Sequence, residues 1–255
     1  MNEQFNLLQV NNLKVDFGTY GGTVQAVRNI SFGINEGECL ALVGESGCGK
    51  SVSAHSIMRI VPEPPGRVCG EIMFKGKDLT QLSEKEMLKI RGAEISMIFQ
   101  DPMTYLNPTM RIGSQVTEII KEHTPRHLSS GQLKKLCIEA FEMVGMTDPE
   151  HRFRQYPYEF SGGMRQRALI AMALINKPSL IIADEPTTAL DVTIQSQMLE
   201  LMKSLQRETQ TALILITHDL GVVAKMAHRV AIIYAGKIVE SANTVDIYRR
   251  PAHPY

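Results

Sequence analysis

The amino-acid sequence predicts an α/β fold, and three observations carry that prediction. Apolar runs of strand length alternate with longer stretches whose apolar residues recur at helical spacing, the order that buries a mostly parallel sheet under helices on both faces. The run "CLALVG" ends in a glycine-rich turn, "GESGCGKS", that opens directly into a helical pattern. From about residue 105 to about residue 165 the strands give way to amphipathic helical patterns, which marks a helical subdomain set into the core.

The elements follow in order. "LLQVNNLKVDF" alternates apolar and polar residues and "GGTVQAVRNISFGI" follows a glycine turn, so the chain begins with an antiparallel β portion. After "CLALVG", Val52, Ile57, Ile60 and Val61 recur at helical spacing. "EIMFKGKDL" and "ISMIFQ" read as strands, with the polar "SEKEMLKIRG" between them as a short helix. "IGSQVTEIIKEH" and "SGQLKKLCIEAFEMVG" are amphipathic helices joined by a turn containing Pro, Ser and Gly. Alternation then resumes with strand "LIIAD", helix "DVTIQSQMLELMKSLQRE", strand "ALILIT", helix "LGVVAKMAH" and strands "RVAIIYA" and "KIVE". The core is expected over about 1–104 and 166–255, with the helical subdomain at about 105–165.

Composition narrows the function. Lys plus Arg and Asp plus Glu each number 27, so no global field draws the chain to nucleic acid or an anionic membrane surface. Cys39, Cys48, Cys69 and Cys137 form no Cys-x-x-Cys pair, as expected of thiols in a reducing compartment. Apolar runs such as "ALILI" and "LIIA" fall far short of the roughly 18 residues of a spanning helix, and "MNEQFNLLQVNN" lacks the features of a signal peptide.

"GESGCGKS" places Gly44, Glu45, Ser46, Gly47, Cys48, Gly49, Lys50 and Ser51 in the pattern of a phosphate-binding loop. Glycines let backbone N–H groups crowd around phosphate oxygens, and the following helix offers its positive end. Lys50 would reach the outer phosphates and the Ser51 hydroxyl would sit on Mg²⁺; the structural alternative is a plain glycine turn. "LIIADEP" is an apolar strand ending in two carboxylates, where parallel sheets bind ligands. Asp184 would then serve Mg²⁺ and Glu185 would take a proton from attacking water. The alternative is an acidic cap on the next helix. Gln100, after "ISMIF", can touch Mg²⁺ or place water without adding charge; from position alone it is a surface glutamine. His218 in "LITHDL" ends a strand where a helix begins, and a lone histidine there reads first as a structural residue of the helix start.

These stretches, with "FSGGMRQR" and "TALD" (188–191), stand in the order and approximate spacing of the ATP-binding-cassette ATPases, which the chain resembles over nearly its whole length. "VGESGCGKSV", "IFQDPMTYLNP", "YPYEFSGGMRQR", "ADEPTTALDVTIQ" and "RRPAHPY" are similar to the ATPase subunits of oligopeptide, dipeptide and nickel importers. The resemblance implies a phosphate-loop NTPase of the ABC type that hydrolyses ATP with Mg²⁺. It implies that Gln100 senses Mg²⁺ and a membrane partner, that Asp191 packs at a subunit interface and that His218 contacts the γ-phosphate. An aromatic residue upstream of the loop would stack on adenine, Tyr20 or its rival Phe17.

The resemblance further implies transmembrane permease subunits, an extracytoplasmic solute-binding protein acting through them, and a peripheral location on the cytoplasmic face of the membrane. A second ATPase subunit, identical or similar, would pair head to tail. Ser161, Gly162 and Gly163 would then face ATP held by the partner, since they open a helix whose N–H groups and dipole favour anions; read alone, they are a helix cap. Met164 stands where most of the superfamily has Gln, so any phosphate contact there falls to Ser161 and backbone. Tyr105 stands where the peptide-importer branch usually has Ser. Cargo is expected to be peptide first and nickel second. A soluble cassette acting on nucleic acid or ribosomes, or a phosphate-loop kinase, are the rivals from other classes; the kinase leaves "SGG" unexplained.

Overall fold

The structure, a computed structural model, describes residues 5–124, 128–187 and 191–255. The chain divides into two compact units: residues 1–88 with 210–255, and residues 89–209.

The first unit begins with the long strands β1 (Leu8–Thr19) and β2 (Gly22–Ile34), followed by β3 (Cys39–Val43), α1 (Lys50–Ile57), β4 (Gly66–Phe74) and the short β5 (Lys77–Asp78). β1, β2, β4 and β5 form an antiparallel sheet in the order β2-β1-β4-β5. In β1 the residues Leu8 and Val10, then Leu13 and Val15, are fully buried. Strict alternation would put the second pair on the opposite face from the first, but the register shifts between Val10 and Leu13. Asn12 takes up the extra residue at φ 52, its N–H donating to Ser31 Oγ at 2.8 Å. This bulge restores the phase, so four apolar side chains stay on the buried side of one strand.

After α2 (Glu84–Ile90), within which the division falls, the chain returns to the first unit at β8 (Ala212–Thr217), α9 (Leu220–Met226), β9 (Arg229–Tyr234), β10 (Lys237–Asn243) and α10 (Thr244–Arg249). β3 pairs in parallel with both β8 and β9, and β10 lies antiparallel to β9. Every residue of β3 and β8 is buried, which accounts for their uninterrupted apolar sequences. Ala41, Val43, Val223, Val230 and Ile247 pack into one cluster over this sheet. At the starting edge, Cys39 N–H donates to His228 Nδ1 at 2.8 Å and His228 N–H to the Cys39 carbonyl at 2.8 Å. Arg229 reaches Glu38 at 2.9 Å and lies over the Phe5 ring at 4.8 Å, pairing a largely buried charge where β3 and β9 begin.

The second unit holds the parallel pair β6 (Ile95–Ile98) and β7 (Leu180–Asp184), in register from Ile95 with Leu180 to Ile98 with Ala183. Its helices are α3 (Pro102–Tyr105), α4 (Ile112–His123), α5 (Ser130–Met143), α6 (Pro149–Arg152), α7 (Gly162–Leu174) and α8 (Val192–Thr209). α4, α5 and α7 pack on one another around Ile112, Val116, Ile120, Leu133, Cys137 and Phe141, all buried. A capping box at Ser129 and Gln132 starts α5. Met198 and Met202 of α8 are buried, in keeping with methionines at helical spacing as core packing. The short α3, α6 and α10 escape a periodicity reading because they span only 4, 4 and 6 residues. α3 and α6 carry proline in the first turn, where its fixed φ helps start a helix. Among the described residues no helix is long and apolar enough to cross a membrane.

Two tests follow from this packing. Phe141→Ala empties the space of a fully buried ring and should cost about 3–5 kcal/mol, read by chemical denaturation, whereas Phe141→Leu should cost far less. All four cysteines are free, but Cys39, Cys48 and Cys137 are buried and only Cys69 is exposed. Burial pushes the Cys137 thiol up to about 12, so it stays protonated and unreactive at any ordinary pH. Thiol titration of the native protein should therefore show one fast group, with all four appearing in denaturant.

Candidate functional site

In the first unit the glycine-rich stretch joins the end of β3 to the start of α1, as a strand–loop–helix phosphate site requires. Gly49 caps α1 at φ 106, and a Cβ built there would stand 2.4 Å from the Ala26 carbonyl, so only glycine fits both the conformation and the space. Glu45, Ser46 and Gly47 are exposed, while Cys48, Gly49 and Lys50 are buried. Lys50 is 4% exposed, and its ammonium donates to the Gly44 carbonyl at 2.7 Å and the Glu45 carbonyl at 2.8 Å. Carbonyl dipoles solvate the charge without cancelling it, so the loop keeps a net positive potential for an anion. Ser51, half-buried, occupies the first turn of α1.

Tyr20 and Gly21 form the tip of the β1–β2 hairpin, between Thr19 and its partner Gly22. The Tyr20 ring is fully exposed. Its rival Phe17 is half-buried within β1, paired with Val24 and Gly66. At the end of β8 the role expected of a structural histidine belongs to its neighbour: Asp219 caps α9, its carboxylate accepting from Gly221 N–H at 2.7 Å and Val222 N–H at 3.3 Å. His218 is thereby exposed at the carboxyl edge of the strand.

In the second unit the parallel register of β6 and β7 carries Gln100 and Glu185 past the strand ends together. Gln100 Nε2 donates to the Glu185 carboxylate at 2.9 Å. Asp184 and Glu185 are 6% and 9% exposed at the carboxyl edge of β7, the position at which open α/β sheets bind ligands. Glu185 adopts φ 45, a left-handed conformation uncommon outside glycine that costs of order 1 kcal/mol and concentrates at functional positions. Directly after Gln100, Asp101 caps α3; its bonds from Thr104 Oγ1 and Met103 N–H hold the carboxyl below the usual range. That cap turns the chain where Gln100 leaves the strand.

Ser161 caps α7, its Oγ accepting from Met164 N–H at 3.3 Å. The cap reading is therefore correct, and it leaves the hydroxyl proton and the N–H groups of Gly162 and Gly163 at the exposed helix start. The Met164 amide is spent on the cap. Asp191 opens α8, accepting from Ile194 N–H at 3.0 Å. Ile194 in turn stands so close to Gly163 that a Cβ there would lie 2.9 Å from its Cγ2. One capped helix thus presses on Gly163 of another, a contact the sequence does not announce. Residues 188–190 of the "TALD" stretch lie outside the described residues.

The residues sequence reasoning passed over are the capping aspartates Asp101 and Asp219, and Ile194. For the two aspartates the available signal is an acidic residue just ahead of a helical pattern, which the more obvious neighbours Gln100 and His218 overshadow; Ile194 has none.

Comparison with known proteins identifies the family and the fold. Residues 27–188 match the family model described as ABC transporter. The chain is 58% identical over 98% of its length, and 69% of the relative's, to the oligopeptide transport ATP-binding protein OppD of Bacillus subtilis (strain 168). It is 57% identical, over 98% of its length and 74% of the relative's, to the dipeptide transport ATP-binding protein DppD of the same organism. Among solved structures, the ATP-binding cassette MJ0796 in a dimeric post-hydrolysis state bound to ADP and Pi superposes with a TM-score of 0.83 at 26% identity, covering 93% of this chain and 99% of that one. The cassette cbiO1 from Clostridium perfringens gives a TM-score of 0.80 at 26% identity, covering 97% of this chain and 92% of that one. The chain belongs to the ABC transporter family.

Proposed function

We infer that this chain binds and hydrolyses ATP to power a binding-protein-dependent importer of di- and oligopeptides. The observation that carries hydrolysis is the Gln100–Glu185 hydrogen bond at 2.9 Å, which holds a buried carboxylate at the edge of β7. Peptide as cargo is supported by the 58% and 57% identity to the oligopeptide and dipeptide relatives.

The donor set fits Mg–ATP. The phosphate loop presents backbone N–H groups and a buried ammonium to the phosphates, and the exposed Tyr20 ring at the hairpin tip stacks on adenine. Ser51, Asp184 and Gln100 are oxygen ligands of the hard kind Mg²⁺ prefers. When bound, the ion neutralises phosphate charge. Glu185 accepts a proton from water, whose oxygen forms a bond to the γ-phosphorus while the bond to the β,γ-bridging oxygen breaks; ADP and inorganic phosphate leave. Gln100 keeps the Glu185 carboxylate pointed at that water, and His218 contacts the γ-phosphate.

Each ATP in this scheme is closed by a second ATPase subunit arranged head to tail. Ser161, Gly162 and Gly163 of one subunit address the phosphate held by the other, and Asp191 stabilises that face by fixing Ile194 against Gly163. The pair docks on transmembrane permease subunits at the cytoplasmic face, and the permease receives cargo from an extracytoplasmic solute-binding protein.

Glu185→Gln removes the base while keeping the shape and the Gln100 bond. Steady-state phosphate release should fall by about 10²–10⁴-fold while ATP affinity is kept, and light scattering with ATP should show a persistent dimer. Undiminished release would remove Glu185 from its role. In the Glu185→Gln background, Ser161→Arg should still bind ATP yet stay monomeric by light scattering. A dimer of normal stability would overturn the placement of the Ser-Gly-Gly segment on a partner's phosphate.

A further inference from the structure

The sequence stretch "RRPAHPY" finds no role in hydrolysis, and its last residue touches the phosphate loop. The Tyr255 hydroxyl accepts from Glu45 N–H at 3.1 Å. The Tyr255 ring leans on Tyr234 at the end of β9, with ring centroids 4.8 Å apart and planes tilted by 49°. Upstream, the segment is clamped to β10: the Glu240 carboxylate accepts from Ala252 N–H at 2.9 Å and His253 N–H at 2.8 Å. These two backbone donors hold the Glu240 carboxyl below its ordinary range, so it is ionised at neutral pH. Tyr255 N–H closes the turn onto His253 Nδ1 at 3.1 Å.

The site of that contact within the loop matters. The Glu45 carbonyl accepts both from Lys50 Nζ at 2.8 Å and from Cys48 N–H at 3.3 Å, so the residue whose N–H meets Tyr255 also carries the acceptor that positions the lysine. The far side of the loop is fixed from the same hairpin that supplies Tyr234: Gly236 N–H donates to the Cys48 carbonyl at 3.0 Å. The loop is therefore held at two points, Glu45 and Cys48, and the exposed Ser46 and Gly47 lie between them where a phosphate would enter.

We propose that Tyr255 is a positioning residue for the phosphate loop: residues 251–255 form a strap, clamped by Glu240 and braced on Tyr234, that anchors the Glu45 amide and thereby sets nucleotide affinity. Tyr255 acts through the Glu45 amide and preorganises the loop, so its loss falls on binding instead of on the chemical step. This inference rests on the ATPase reading above.

The test compares the protein with its Tyr255→Phe variant, which keeps the ring on Tyr234 and removes only the hydroxyl. Calorimetry with MgADP should show binding weakened about three- to tenfold, the worth of one hydrogen bond. The KM for ATP should rise by the same factor with kcat changed less than twofold and the melting temperature kept. Glu240→Ala, which frees the strap without touching the tyrosine, should reproduce the loss. MgADP affinity in both variants equal to that of the unmodified protein, or a fall in kcat at constant KM, overturns the proposal. Failure of the unmodified protein to bind MgADP would instead sink the ATPase reading itself.

Discussion

The ammonium of Lys50 sets the terms for the structure around it. A charge that is 4% exposed costs several kcal/mol to desolvate, and here the compensation comes from the Gly44 and Glu45 carbonyls. Those carbonyls converge only if the chain turns back on itself between strand and helix, which needs the left-handed Gly49 pressed against the Ala26 carbonyl. Holding the turn in place needs a rigid strand before it, and β3 is buried along its whole length between β8 and β9. Loop, strand and supporting hairpins are thus one arrangement that keeps a cation ready for phosphate.

The second unit uses acid in place of base but obeys the same economy of position. Parallel strands in register end at the same level, so the residues just beyond them meet; Gln100 and Glu185 are such a pair. Glu185 tolerates an uncommon backbone conformation there because the buried strand before it and the amide of Gln100 determine its place together. In each unit, aspartates do the structural work of starting helices. Asp101 follows Gln100, Asp219 follows His218, and Asp191 opens α8, each accepting backbone N–H groups within its own first turn.

Much of this was legible beforehand. Fully buried strands such as "CLALV", "LIIAD" and "ALILIT" announce themselves as uninterrupted apolar runs, and α4, α5 and α8 by their helical spacing. The phosphate loop was equally plain, because its chemistry depends on local spacing: glycines, a lysine and a hydroxyl within eight residues of chain, Gly44 to Ser51. Other features resisted reading. The bulge at Asn12 inverts the alternation of β1, so "LLQVNNLKV" looks like an imperfect strand although all four of its key side chains turn inward. Ser161 looked either like a cap or like an anion site, and its geometry allows both, since a hydroxyl accepts through oxygen while its proton points elsewhere.

The sequence by itself determined what is local: the α/β order of elements, the phosphate loop, the acidic strand end and the helical stretch, each written in residues a few positions apart. Tertiary structure alone decided which distant residues complete them. Glu185 acquires its amide partner from 85 residues away, and Glu45 meets the hydroxyl of Tyr255 across 210 residues. Such pairings follow from strand register and the path of the chain over its sheet, and neither quantity leaves a mark in composition or spacing. A hydrogen bond is satisfied by whatever group the fold brings within about 3 Å, so the partner of a residue belongs to the fold and only its need for a partner belongs to the sequence.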